Sequence, residues 1–481
     1  MPRGELNMNG ILVASTEIAS RPGTGGTLRP TFHKRDGIAL IVSNVVGVGI
    51  LTTPAIIAGL VPNPTAMLVL WVAGGALALA GAASYARLAR LWPRAGGEYV
   101  YLSKIYGPLA GFLSGWTSLI AGFSGAVAAS AVALAVFAGR YFPALASDQT
   151  LFTYELWGLT VSISLRGVVA AAVIALFAAL HICSVPAGKI TQKALAFALT
   201  GMIVVFVFAG FAGGRGSWSH FESPHVTFGR LSWLLALIPV MFTYSGWNAA
   251  VYLSEEIHAS RRSMRPILLG GTAIVIALYA ALNAVYIYAI PLREMRSSIN
   301  VAESAALILF GGKSQLVTPA AILALLGAVS AMTIAGPRVY FAMARDGAFI
   351  PAFAQTSKRF GTPSLAIVLQ ASWSIALVLF GGFEQILMYT GFAILLSSGA
   401  AVAGLLLVER RKSHAGGRSR LLAPAAFVLA IAAILLDTIW EAPKLAFIGV
   451  SLIAGGIPVY LVSRKANCEH RALRPERVGA D

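Results

Sequence analysis

Residues 41–54 read IVSNVVGVGILTTP, in which Gly47 and Gly49 are followed by Pro54. The stretch lies within an apolar run over residues 37–60, which is long enough to cross ~30 Å of hydrocarbon as a helix. Glycine weakens a helix by roughly 1 kcal/mol and proline by roughly 3 kcal/mol. The stretch therefore predicts a membrane-spanning helix that is broken near its middle.

A second apolar run, over residues 231–254, contains the sequence FTYSGWN at positions 242–248. Irregular backbone at membrane depth is tolerated only where it faces protein or a water-filled cavity. Either interruption alone could equally be a kink or a close helix contact at a glycine. Two interruptions at matching positions are typical of the binding site of a transporter built from inverted repeats, and we favour that interpretation.

The composition is that of an all-α integral membrane protein. Of 481 residues, 57% are hydrophobic and 11% are charged, whereas soluble proteins carry about 25% charged residues. Twelve apolar runs predict twelve helical spans, at residues 37–60, 65–84, 108–137, 161–182, 194–211, 231–254, 267–290, 316–335, 365–380, 386–408, 421–439 and 445–462.

The spacing of the two interruptions predicts an internal repeat. It matches the spacing of the fifth and tenth spans, so residues 37–211 and 231–412 are expected to be two copies of a five-span unit. Because five spans end on the opposite side from where they began, the copies are inverted. Two further spans occupy residues 421–462, and residues 1–36 and 463–481 form the terminal tails.

The charges orient the chain. The formal net charge is +17, from 36 Lys and Arg against 19 Asp and Glu. When the loops are assigned to alternate sides, most Lys and Arg fall on the side of the N-terminus. The positive-inside rule then places both tails in the cytoplasm of a multi-pass protein of the plasma (inner) membrane. The positive excess is a topology signal with some attraction to anionic lipid, and no nucleic-acid partner is expected.

Several classes of protein are excluded or disfavoured. Two cysteines, Cys183 and Cys468, exclude a disulfide scaffold and multi-cysteine metal sites, and no cofactor is expected. An enzyme would need a cluster of acid, His or Lys at one membrane face, but the charges are dispersed. An ion channel is a further alternative, which would be distinguished by a flux that does not saturate with substrate concentration. No charged residue lies mid-span, which disfavours an internal carboxylate as proton carrier and a cationic substrate.

Two broken helices suit a ligand that carries both charges. The half-helix after Gly49 offers free N–H groups and a positive dipole end to a carboxylate, while carbonyls near Val45 and at 242–244 can accept from an ammonium group. A zwitterionic amino acid satisfies both without a charged side chain. Selectivity for its side chain is then expected from the walls, with Phe242, Tyr244 and Trp247 as candidates for shape and gating.

Three motifs carry a family resemblance. They are PRAGGEYVYL at 93–102 with YGPLAGFLSGW at 106–116, YSGWN at 244–248 with EEI at 255–257, and PRVYFAMARDG at 337–347. In this order they resemble the amino acid–polyamine–organocation superfamily, in particular bacterial relatives of its L-type amino acid transporter branch. The resemblance implies the leucine-transporter fold, a five-plus-five inverted repeat with two extra transmembrane helices, and transport by alternating access.

The resemblance also implies site residues. Gly47, Val48 and Gly49 match a Gly-Ser-Gly that receives the substrate carboxylate, and the Val45 carbonyl matches the acceptor of the ammonium group. Phe242 matches a gating aromatic, and Trp247 is a second gating candidate. The expected substrate-binding set is Val45, Gly47, Val48, Gly49, Ile50, Phe242, Thr243, Tyr244, Ser245, Gly246 and Asn248.

Ion coupling is left open by one departure from the family pattern. Leu199 stands where many members have a lysine whose ammonium takes the place of a bound sodium ion, and Lys193 is expected to be a surface lysine instead. The vacant position is either apolar packing or a sodium site formed by first-span carbonyls with Ser330 and Thr333, and proton coupling is a further possibility.

The function expected from these observations is secondary transport of small neutral L-amino acids across the plasma membrane. The alternative is a cationic amino acid or polyamine permease of the same fold. Heteromeric members bond a heavy subunit through a cysteine in the loop between spans three and four. The loop at 140–164 has no cysteine, so no disulfide-linked heavy chain is expected.

Overall fold

The computed structural model describes residues 26–463 except for gaps at 48, 147–148, 157–158, 223–229, 299, 312–316, 381–382 and 413–418. Its helices are α1 Lys34–Val45, α2 Gly49–Leu60, α3 Pro64–Leu91, α4 Glu98–Tyr106, α5 Pro108–Thr117, α6 Phe123–Ala138, α7 Pro143–Ala146, α8 Leu165–Cys183, α9 Val185–Gly213, α10 Arg230–Thr243, α11 Ser260–Ala289, α12 Leu292–Met295, α13 Val301–Phe310, α14 Val317–Ala335, α15 Pro337–Arg345, α16 Ser364–Phe380, α17 Phe383–Lys412, α18 Ser419–Glu441 and α19 Pro443–Ala454. A π-helical turn, Ser118–Gly122, joins α5 to α6, and Ala249–Leu253 is a 3₁₀ helix.

Within the described residues the chain is a multi-pass helical membrane protein. Nine helices there are long and apolar enough to cross a membrane, and α1 with α2 form a tenth such unit if the bent pair is one span. Each predicted apolar run overlaps a helix, although α16 has 17 residues and α10 has 14. The helical class is therefore confirmed, and twelve spans stay a prediction.

One predicted boundary was wrong. The fourth span was expected from residue 161, but residues 159–164 form strand β2 (Leu159–Ser164), which pairs antiparallel with β1 (Thr150–Leu156). The sequence LTVSIS has the alternation and β-branched residues of a strand. Helix α8 starts at Leu165 because the Ser164 hydroxyl caps it, accepting from Gly167 N at 3.2 Å. Arg166 therefore lies in the first turn of α8 and does not interrupt a span.

The broken helices pack at the centre of the molecule. Helix α11 packs against both α1 and α3, while α10 packs against α2. A buried aromatic cluster is formed by Trp71 of α3, Tyr279 of α11 and Tyr244, the residue after α10. The ring centroids are 5.1 to 6.0 Å apart. Edge-to-face aromatic pairs of this kind add to the stabilisation from apolar burial. The cluster holds α3 and α11 beside the two breaks.

Candidate functional site

The first predicted break is present. Helix α1 ends at Val45, α2 begins at Gly49, and the two axes are bent by 49°. The Val46 backbone is extended, with φ −77° and ψ 96°, and Val48 lies outside the described residues. Because the first N–H groups of a helix have no intrahelical acceptor, the start of α2 offers donors at the break. An added Cβ at Gly47 would have no atom within 4 Å, so open space adjoins this segment.

The second predicted break is present as well. Helix α10 ends at Thr243, and five residues in turn conformation precede the 3₁₀ helix Ala249–Leu253. Gly246 has φ +102°, and its carbonyl accepts from Asn44 Nδ2 at 3.1 Å. A Cβ at Gly246 would lie 2.5 Å from the same nitrogen. Glycine is needed here both for the backbone angle and for the close approach of α1.

The two breaks are in direct contact. The Tyr279 hydroxyl donates to Val45 O at 2.8 Å and lies 3.2 Å from Thr243 O. A Cβ added to Gly49 would lie 3.0 Å from Thr243 Cγ2. The Thr243 hydroxyl lies 2.9 Å from Thr53 Oγ1. The Tyr279 hydroxyl therefore contacts the carbonyls at the ends of α1 and α10. Helix α2 packs on Thr243, the last residue of α10.

Some of the predicted site residues meet at this point, whereas others turn away from it. Val45, Gly49, Thr243 and Gly246 adjoin one another through the contacts above. Ile50 is buried. The Phe242 side chain is 45% exposed, and its ring is 3.6 Å from the position of a Cβ on Gly391 of α17. An aromatic side chain this exposed beside the break fits the predicted gating role.

Tyr244, Trp247 and Asn248 direct their side chains into the protein. Tyr244 Oη donates to Trp71 O at 3.0 Å. Trp247 is buried and packs edge-on against Tyr85, with centroids 4.8 Å apart. The Asn248 amide donates to Glu98 Oε1. These are packing and positioning contacts, and the gating role of Trp247 stays a prediction.

The residues of the predicted sodium site have protein partners. Ser330 Oγ lies 3.0 Å from His181 Nε2, and the Thr333 hydroxyl donates to Val329 O at 2.7 Å. Leu199 is buried. The part of the chain that the structure describes holds no group of three His, Cys, Asp or Glu suited to a metal ion. Sodium coupling at Ser330 and Thr333 stays a prediction.

Lys193 has a side chain that is 37% exposed, in keeping with a surface lysine, and it also forms an ion pair. Its ammonium lies 3.0 Å from Oδ1 of Asp36, whose side chain is buried. Because removal of one partner would leave a buried charge uncompensated, Lys193 is a structural ion-pair partner of α1.

The N-terminal segment contacts the residues that follow the second break. Phe32 forms a parallel bridge with Ile257, and His258 N donates to Phe32 O at 2.9 Å. Arg338 contacts both carboxylate oxygens of Glu256 at 2.7 and 3.0 Å, and both side chains are buried. A bidentate pair of this kind is geometrically specific, and it connects α15 to the segment that follows the second break.

A second ion pair lies beside the first. Arg345 binds Glu255 through two nitrogens. Burial raises the pKa of the Glu255 carboxyl, but hydrogen bonds and positive charge from Arg345, with a smaller contribution from Arg94, outweigh it. The pKa of Glu255 is therefore below its usual range, and the pair is ionised at neutral pH.

Sequence reasoning missed the groups that connect the breaks, Tyr279, Asn44 and Thr53, and missed Glu98, which connects the second break to α3 and α4. A signal was present for the first, because a tyrosine within an apolar span must find an acceptor for its hydroxyl. Asn44 likewise stands out as an amide within the apolar run 37–60. Neither signal states which carbonyl is the partner.

Comparison with known proteins finds amino acid permeases and transporters. A family model described as amino acid permease matches residues 36–461. The chain is 25% identical to the Asc-type amino acid transporter 1 of Homo sapiens, over 93% of this chain and 86% of that protein. It is 26% identical to the large neutral amino acids transporter small subunit 2 of Rattus norvegicus, over 92% of this chain and 82% of that protein. It is 24% identical to the b(0,+)-type amino acid transporter 1 of Homo sapiens, over 78% of this chain and 74% of that protein.

Proposed function

The chain belongs to the amino acid permease family, and on that premise we propose that it carries small neutral L-amino acids across the plasma membrane by alternating access. Family membership and its relatives make it a multi-pass amino acid transporter and not an enzyme. The substrate, the site residues, the membrane and the coupling ion are the proposed parts.

One observation carries the proposal: the ends of two broken helices meet at a single hydroxyl. Tyr279 Oη contacts both Val45 O and Thr243 O, and the N-terminus of α2 begins four residues after Val45. Carbonyls and free N–H groups therefore lie within a few residues of each other. An ammonium group fits the carbonyls, and a carboxylate fits the helix N-terminus.

The positions of the breaks support the proposed repeat. The bend between α1 and α2 and the turn after α10 occupy corresponding places in residues 37–211 and 231–412. With residues 421–462 as two added spans, this is the twelve-span leucine-transporter fold. Both termini are proposed to be cytoplasmic, since the N-terminal face carries most Lys and Arg.

Contacts on the N-terminal face support a proposed direction of access. The Glu256–Arg338 pair on this side is buried, while Phe242 is exposed at the break. We take this conformation as open toward the opposite, external side. Substrate binding would bring Phe242 over the site, and separation of the Glu256–Arg338 pair would open the cytoplasmic side.

The alternative is a cationic amino acid or polyamine permease. A second positive charge on the substrate would need a carboxylate at the breaks. Glu98 is the acidic side chain found in contact with the break segment, and its Oε1 is occupied by Tyr85 and Asn248. The relative named for large neutral amino acids also favours a neutral substrate, although it makes side-chain size part of the test. A single chain without a disulfide-linked heavy chain is proposed.

Counterflow in proteoliposomes tests the proposal. Vesicles loaded with unlabelled alanine, serine, leucine, arginine or putrescine would be assayed for uptake of the same labelled compound. We expect saturable exchange of small neutral amino acids. Exchange of arginine or putrescine without exchange of any neutral amino acid would favour the cationic amino acid or polyamine permease instead. The same panel, run with and without sodium and across a pH step, identifies the coupling ion.

A further inference from the structure

Glu98 is a buried acidic residue outside the predicted site. It is the first residue of α4 and follows Gly96 and Gly97 in the turn after α3. Its residue surface is 6% exposed, and it forms no ion pair with any described residue. Burying a carboxylate costs free energy unless hydrogen bonds satisfy its oxygens. The hydrogen-bond donors to Glu98 therefore indicate its role.

Both partners donate to the same carboxylate oxygen. Tyr85 Oη of α3 donates to Glu98 Oε1 at 2.8 Å, and Asn248 Nδ2 donates to that atom as well. Asn248 Nδ2 is also 3.2 Å from Tyr252 Oη. Asn248 is the last residue of the turn that interrupts span six. The carboxylate therefore connects this turn to α3 and α4.

The turn before Glu98 lies directly on the segment that follows the break. Gly96 has φ +113° and Gly97 has φ +53°, angles that favour glycine. Gly96 N donates to Tyr252 O at 3.2 Å, and a Cβ on Gly97 would lie 2.5 Å from the Tyr252 ring. This close approach is what brings the Glu98 side chain within reach of Asn248.

Besides the Tyr244–Trp71 bond to α3, the Thr243–Thr53 bond to α2 and the packing of Trp247 on Tyr85, three further hydrogen bonds connect the turn at 244–248 and the residue before it to neighbouring helices. Tyr279 contacts Thr243 O, and Asn44 donates to Gly246 O. These two donors belong to α11, which also contacts Val45 O at the first break, and to α1, which ends at that break. The Glu98–Asn248 bond is the attachment to α4, which packs against α5 and α17. It fixes the end of the turn relative to helices outside the two broken spans.

We propose that Glu98 is a positioning residue for transport, whose carboxylate holds Asn248 and thereby keeps the span-six turn in its substrate-binding geometry. This rests on the proposed function. Without the bond, the turn adopts its binding geometry for a smaller fraction of the time. The apparent affinity for substrate then falls by that fraction, whereas movement of loaded carrier is little changed.

Counterflow kinetics of purified protein in proteoliposomes test this with a graded set of variants. Glu98→Ala removes the acceptor, and we expect KM to rise at least about tenfold with Vmax within about twofold. Glu98→Gln keeps Oε1 as an acceptor for both donors, and KM is expected within about threefold of the starting protein. The pH dependence of exchange by Glu98→Gln should match that of exchange by the unaltered chain. Glu303→Ala, which removes a carboxylate paired with Arg140 elsewhere in the molecule, is the matched control and should be unchanged.

A reciprocal pair keeps the test decisive if Glu98→Ala does not insert. Asn248→Asp places a second acidic group beside Glu98, and its KM is expected to rise as in Glu98→Ala. Adding Glu98→Gln to Asn248→Asp supplies an amide donor opposite the new carboxylate, and KM should recover at least threefold.

The outcomes separate the two proposals. If the unaltered chain exchanges no amino acid, the proposed function fails. If it does exchange and Glu98→Ala has unchanged KM, or the double variant shows no recovery, the positioning role fails. If Glu98→Gln abolishes the pH dependence of exchange, Glu98 carries a coupled proton and the positioning role is overturned.

Discussion

Substituting Gly49 by alanine tests the contact between the two breaks. A Cβ at this position would lie 3.0 Å from Thr243 Cγ2, 3.1 Å from its Oγ1 and 3.4 Å from its Cα. The first two distances are shorter than ordinary van der Waals contact, and the last involves backbone. The Thr243 side chain is held by Thr53 Oγ1 and Pro239 O, so it cannot rotate away without losing hydrogen bonds.

The expected cost follows from overpacking. Adding a methyl group to a packed interior costs about 1 to 3 kcal/mol, whereas replacing glycine by alanine in a helix returns at most about 1 kcal/mol. The clash therefore outweighs the gain. With the full gain subtracted, the net loss is up to about 2 kcal/mol, and if the strain shifts the α2 N-terminus away from α10, a loss of this size weakens substrate binding by up to roughly 30-fold.

Two measurements check this, the KM for counterflow and the melting temperature of the purified protein. Gly49→Ala should raise KM and lower the melting temperature. Adding Thr243→Ser removes the methyl group at 3.0 Å and should recover part of both losses. Gly47→Ala, whose Cβ meets no atom within 4 Å, should leave the melting temperature unchanged and raise KM alone.

Gly201→Ala is the control for handling and expression, because its Cβ also meets nothing within 4 Å and it lies on α9, away from the breaks. It should match the starting protein in both assays. If Gly49→Ala retained the original KM and melting temperature, the two breaks would not be in contact and the reasoning would be refuted.

Three further predictions concern the surroundings of the breaks. Tyr279→Phe deletes the hydroxyl that contacts the two carbonyls and should lower the free energy of unfolding by about 1 to 3 kcal/mol. Chemical unfolding measures this loss, and an unchanged midpoint would show that the hydroxyl makes no stabilising contact. Arg338→Ala leaves Glu256 buried without its partner and should cost about 3 to 5 kcal/mol, whereas changing both to apolar residues should restore the melting temperature but impair transport. Glu255 has a pKa lowered from 4.5 in the folded protein, so its contribution to stability is full above about pH 4.5 and is lost as the pH falls further, through that lower pKa. Melting curves of Glu255→Gln should show a shallower acid dependence than those of the unaltered chain, and an identical dependence would contradict the assignment.

Backbone features at the breaks were predictable from sequence because they depend on residue type. Two glycines and a proline in an apolar run weaken a helix wherever it packs, and residues 46–47 and 244–248 are indeed not helical. The same reasoning failed at residues 161–164, where apolar content was taken for a span. Alternation and β-branching outweighed it and formed β2, with Ser164 as the helix cap.

Side-chain directions were not predictable, because they depend on which neighbour is close in the fold. Trp247 and Asn248 share a turn with Gly246, but their side chains contact Tyr85 and Glu98. Lys193 is partly exposed as expected, but its ion pair with Asp36, between α9 and α1, was not foreseen. Each of these partners is distant in sequence, so no local pattern could indicate them.

The central claim is that the two broken spans bind a zwitterionic amino acid through their backbone. The measurement that tests it most directly is counterflow of labelled small neutral amino acids into proteoliposomes, comparing the unaltered chain with Gly49→Ala and Gly201→Ala. We predict saturable exchange by the unaltered chain and by Gly201→Ala, with a KM that is higher for Gly49→Ala, by roughly fivefold for a net cost of about 1 kcal/mol. Exchange of arginine or putrescine without any neutral amino acid, or equal KM values for all three proteins, would contradict it.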